Sequence, residues 1–108
     1  MDIVDWRQKI DELDRRMVDL LNERAHAARE IGKLKRNTSM PIYEPHREKM
    51  IFENVRKANH GPLPDEDIHH VYERVIEVMR NIQKHEIVAA AEEHSHEKAE
   101  EQSHKKSV

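Results

Sequence analysis

The chain has no cysteine, two glycines and one phenylalanine among 108 residues. Without cysteine there is no disulfide framework, no thiol nucleophile and no thiolate metal site. With only Gly32 and Gly61, there is no glycine-rich loop to cradle a phosphate. No apolar run is long enough to span a bilayer. The opening MDIVDW is acidic and lacks a signal-peptide pattern, so a cytoplasmic location is expected. Hydrophobic residues make up 36% and aromatics 4%, which is thin for the core of a monomer of this size. A large excess of one charge is also missing. Through Lys84, 16 Lys and Arg balance 16 Asp and Glu, and the net −3 arises from six Glu against three Lys beyond His85. That balance argues against a nucleic-acid binder.

What the chain does have is one long amphipathic stretch, from Val4 to about Arg36. Trp6, Ile10, Leu13, Met17, Leu20, Leu21, Ala28, Ile31 and Leu34 recur in steps near 3.6 residues, which predicts a single helix. At ~1.5 Å per residue it is about 50 Å long, too long for the rest of this chain to surround. A dimer is therefore expected. Asp2 or Asp5 is positioned to cap it. Asn37 to Pro41 makes a connection. A second helix is expected from Pro45, with Glu44 in the cap position, to about Asn59. Met50, Ile51, Val55 and Ala58 are its inward candidates. His60-Gly61-Pro62-Leu63-Pro64 forms a corner. A third helix starts near Asp65 and carries the stripe Ile68, Val71, Tyr72, Val75, Ile76, Met79 and Ile82. The fold class is all-α, with three helices and no strand pair. Residues 1–85 form the helical domain. Residues 86–108 form a charged tail that first extends the helix and then becomes disordered.

Several polar residues fall where a core should be. Arg24 and Lys35 are eleven residues apart, close to three turns, and lie beside the apolar face. Arg47, Glu48 and Gln83 join them by register. Three cations, a carboxylate and an amide suit an anionic ligand with a hydroxyl. Spacing alone leaves open a plainer alternative, in which each residue flanks the apolar face and covers it with its stem. Glu48 also stands where the helix dipole favours an acid. Arg7 is 28 residues from Lys35, about 42 Å along the axis, so it joins such a site only from another subunit. His94, His96 and His104 lack carboxylate or thiolate partners, and no metal site is expected. Thr38, Ser39 and Ser103 have no base beside them, so no nucleophile is assigned.

The pieces WRQKIDELDRRMVDLLNERAHAAREIGKLK and PIYEPHRE, with a final helix ending in Met79 and Gln83, resemble the all-helical (AroQ-type) chorismate mutases. The likeness runs from about Val4 to Lys84. It implies an intertwined homodimer of three-helix chains that rearranges chorismate to prephenate in aromatic amino acid biosynthesis, without a cofactor. By the same likeness, Arg7 of the partner and Arg24 hold the two substrate carboxylates. Lys35 bridges a carboxylate and the ether oxygen, and Gln83 donates to that oxygen. Glu48 accepts from the ring hydroxyl, Glu44 acts near the hydroxyl largely through its backbone, and Arg47 supports the carboxylates. Met79 departs from the pattern, since some members place there a serine that touches a carboxylate, and a thioether cannot donate. Glu44 stands where the family usually has Asp. The resemblance leaves room for a partner enzyme of the aromatic pathway. It also leaves two alternatives: an isochorismate pyruvate-lyase of the same fold, and a non-catalytic helical regulatory dimer.

Overall fold

The first helix begins where a carboxylate caps it. Asp2 Oδ1 accepts from the Asp5 amide at 2.9 Å, and Asp5 Oδ2 accepts from the Asp2 amide at 3.1 Å. This reciprocal box satisfies two amides that a helix start leaves unpaired. From it α1 runs Ile3–Lys35, within a residue of the expected bounds. The structure is a computed structural model that describes the backbone of residues 1–106 and the side chains of residues 1–89. Two further helices follow, α2 at Pro45–Ala58 and α3 at Asp65–Lys106. No strand occurs among the described residues.

The corner between α2 and α3 is knitted by one side chain. Asn59 Nδ2 donates to the Leu63 carbonyl at 2.8 Å and to Asp65 Oδ1 at 2.7 Å, while Asn59 Oδ1 accepts from the Gly61 amide at 3.2 Å. Gly61 has φ +78°, a conformation that costs a residue without Cβ little.

The long third helix packs against both α1 and α2. The apolar core is small: among the described residues Ala28, Ile76 and Met79 are the buried hydrophobic side chains, with Gly32 and the charged Lys35 buried as well. Along the N-terminal two-thirds of α1 the predicted apolar stripe is instead exposed. Trp6 is 56% accessible, Met17 55% and Leu20 61%. The Cα radius of gyration is 20.6 Å, against about 13 Å for a compact domain of this length. The inward residues expected on α2 divide. Ile51 and Val55 are half-buried, but Met50 and Ala58 are exposed.

The expected tail of residues 86–108 lies largely outside the described side chains, and α3 is bounded at Lys106. His94, His96 and His104 lie outside the described side chains. Among the described residues, no group of His, Asp and Glu has the arrangement of a metal site, and no helix is long and apolar enough to cross a membrane.

Candidate active site

The site forms where the C-terminal end of α1, the start of α2 and the middle of α3 meet. α1 must approach α3 closely there, and Gly32 permits it. A Cβ added to Gly32 would lie 3.0 Å from Gln83 Cα and 3.2 Å from the Gln83 carbonyl oxygen. One helical turn of α1 further on, the Lys35 side chain enters the interface and is 4% accessible.

A buried ammonium needs compensation, and Lys35 has it in full. Its Nζ donates to Glu44 Oε2 at 2.9 Å, to Gln83 Oε1 at 2.9 Å and to the Ile42 carbonyl at 3.3 Å. Those three contacts use all three donors of the ammonium. The bond to Gln83 also fixes the amide's orientation. Because Oε1 faces the ammonium, the NH2 end is turned away from Lys35, and Gln83 itself lines the cleft.

Glu44 occupies the N-cap of α2 but makes no side-chain capping bond. Its carboxylate, one methylene longer than Asp, reaches Lys35 instead. The side chain, not only the backbone, is therefore part of the site.

Arg24, Glu44, Arg47, Glu48, Met79 and Gln83, all named from the sequence, line one cleft of about 70 Å³. Lys35 stands behind its wall and reaches the cleft through Glu44 and Gln83. Arg24, Glu48 and Gln83 are half-buried, Arg47 is exposed and Met79 is buried. Arg7 is exposed on the far part of α1 and does not belong to this cleft within its own chain. A larger groove of about 510 Å³ lies beside it, lined by Phe52, Val55 and Ile68. It shares Glu48 but lacks Arg24, Arg47 and Gln83, and its own cations Lys49 and Arg56 are outnumbered by Glu48, Glu53 and Asp65.

Sequence reasoning missed Arg80. Its Nη2 and Nε donate to Glu48 Oε1 and Oε2 at 2.6 and 3.1 Å, a two-pronged pair. Its guanidinium carbon also sits 5.0 Å over the Tyr43 ring. The hydrogen bond to Glu48 holds the Arg80 pKa above its ordinary value, although burial works against it. The signal was present in the register: Ile76, Met79, Arg80 and Gln83 are spaced i, i+3, i+4 and i+7, one helical face. Arg24, Lys35, Arg47 and Arg80 outnumber Glu44 and Glu48, so the region carries two uncompensated positive charges.

The sequence model of the family described as chorismate mutase type II matches residues 6–84. The chorismate mutase of Methanocaldococcus jannaschii is 32% identical over 83 residues, covering 76% of this chain and 84% of that protein. A bifunctional chorismate mutase/prephenate dehydratase of Aquifex aeolicus is 35% identical over 87 residues, 77% of this chain. The chain spans about a quarter of that relative's length, 24%. Among solved structures, the chorismate mutase of Thermus thermophilus in its form II superposes with TM-score 0.74 at 29% identity, over 76% of this chain and 93% of that one. The Helicobacter pylori chorismate mutase in complex with prephenate gives TM-score 0.71 at 29% identity, over 79% of this chain and 92% of that one.

Proposed function

We propose that this chain, which belongs to the chorismate mutase type II family, rearranges chorismate to prephenate in the cleft around Lys35 and Gln83. The observation that carries this reading is the direct Lys35–Gln83 contact at 2.9 Å beside Arg24 and Arg47. It joins a cation and an oriented amide donor at one point, flanked by guanidinium groups.

The reaction breaks one carbon–oxygen bond and forms one carbon–carbon bond within a single molecule. It requires no nucleophile and no proton transfer. Two physical tasks remain. The flexible dianion is held in a compact, chair-like pose, which is an orientation effect. Arg24 and Arg47 supply charge for its carboxylates. Negative charge growing on the ether oxygen meets donors already in place, which is an electrostatic effect. Lys35 and Gln83 Nε2 are those donors. Since Lys35 has no spare donor, it gives up a present partner as substrate enters. The longest of its three bonds, 3.3 Å to the Ile42 carbonyl, is the least costly to exchange. Glu48 is the acceptor for the ring hydroxyl. Met79 adds an apolar wall and no hydrogen-bond donor.

The working unit is a homodimer. A cleft of about 70 Å³ is too small to enclose a ligand, since ligand pockets are usually about 300 Å³ or more. The exposed face of Trp6, Ile10, Leu13, Met17 and Leu20 supplies what a second chain would cover. A chain lying along that face brings its own Arg7 to the mouth of the cleft and completes the cationic wall. A partner enzyme of aromatic synthesis is compatible with this arrangement, as the fusion in the Aquifex aeolicus relative illustrates.

The test is product analysis on purified protein given chorismate and, separately, isochorismate. Prephenate from chorismate supports the assignment. Pyruvate release from isochorismate without any prephenate from chorismate would transfer the site to a lyase. Neither product, with no binding of a bicyclic diacid transition-state analogue, would leave a non-catalytic helical dimer.

A further inference from the structure

Glu48 has a problem that its place in the fold does not solve alone. It lies in the first turn of α2 with three side-chain torsions to fix, and its carboxylate serves the cleft only if those torsions are held. Arg47 is its neighbour in sequence, and Arg24 and Gln83 line the same cleft. Each offers donors that would turn the carboxylate a different way.

We propose that Arg80 is a positioning residue for Glu48, holding its carboxylate so that the lone pairs not engaged by the guanidinium accept the substrate's ring hydroxyl. This rests on the mutase reading above. The fork from Nη2 and Nε takes both oxygens at once, at 2.6 and 3.1 Å. A carboxylate offers about four lone-pair sites, and the fork uses two. The remaining acceptor capacity is directed away from Arg80 along the plane of the pair. Arg80 is itself braced, with its guanidinium 5.0 Å over the Tyr43 ring in the segment that leads into α2. Glu48 is thereby clamped between α3 and the start of its own helix. A lysine would supply the charge as a single point and lose the planar match. Arg80 also shares the helical face of Gln83, three residues on, so the hydroxyl end and the ether-oxygen end of the site are set by one rigid element.

The experiment is steady-state kinetics on the full chain, using chorismate and chorismate lacking the ring hydroxyl. Arg80→Ala should lower kcat/KM for chorismate about tenfold or more, as for loss of a hydrogen bond to a charged group, and Arg80→Lys should restore part of it. Two comparisons isolate the positioning role. In a Glu48→Ala background, adding Arg80→Ala should cause no further loss beyond about twofold, because residues acting as one unit are non-additive. With the deoxy substrate, Arg80→Ala and the unaltered protein should agree within about twofold. Arg80→Met preserves side-chain length and packing, so it repeats these comparisons if the alanine variant folds poorly. Losses that multiply in the double variant, or an equal Arg80→Ala penalty with and without the hydroxyl, would overturn the proposal. Titration with a bicyclic diacid analogue, with and without its hydroxyl, asks the same question without turnover. An unaltered protein that binds the analogue but forms no prephenate therefore refutes the mutase reading, not this one.

Discussion

The Lys35 ammonium donates to the Gln83 amide oxygen at 2.9 Å, joining the end of α1 to the middle of α3 across 48 residues of sequence. This bond places a buried charge and an oriented amide donor side by side. It makes the two residues a unit whose members should fail in different ways.

Lys35→Ala should reduce turnover by about 100-fold or more, as for removal of a preorganised donor at a developing oxyanion. Gln83→Ala should lower kcat more than it raises KM, because the bond proposed for it to the ether oxygen would strengthen as charge builds. Steady-state kinetics separates the two parameters. A Gln83→Ala variant with unchanged kcat and a raised KM would reduce the amide to a binding role.

Gly32→Ala tests the close approach that builds the site. Its new Cβ would stand 3.0 Å from the Gln83 backbone, and backbone cannot swing aside as a flexible side chain can. The helix backbones must give by a few tenths of an ångström, an overpacking cost of about 1–3 kcal/mol. A lower Tm together with a kcat deficit is expected, although residue 32 itself touches no substrate. Normal kcat in a folded Gly32→Ala protein would show that Gln83 tolerates displacement.

Arg7 tests the shared site. Arg7→Ala and Arg24→Ala chains should each be nearly inactive as homodimers. Mixed dimers should recover activity, because one of their two sites then has both arginines intact. Verified heterodimers with no recovery would place Arg7 outside the chemistry.

The helices themselves were legible because periodicity and capping are local. The α1 bounds, the Asp2–Asp5 cap, the Pro45 start and the corner at Gly61 all follow from short-range rules. The convergence of Arg24, Glu44, Arg47, Glu48, Met79 and Gln83 was legible from register together with family likeness. Two features were not. Arg80 sits at a flank position where a charged residue is ordinarily a solvated one, and its pairing with Glu48 is set by how α2 packs on α3. Glu44 stands at a cap position, and nothing local in the sequence shows that its carboxylate pairs with Lys35.

The most direct measurement is conversion of chorismate by the purified chain, followed by loss of its absorbance with prephenate identified as product, alongside Lys35→Ala. Rapid conversion by the unaltered protein and a loss of about 100-fold in the variant are expected. Equal rates in both, or no prephenate from either, would contradict the role given to Lys35 and Gln83.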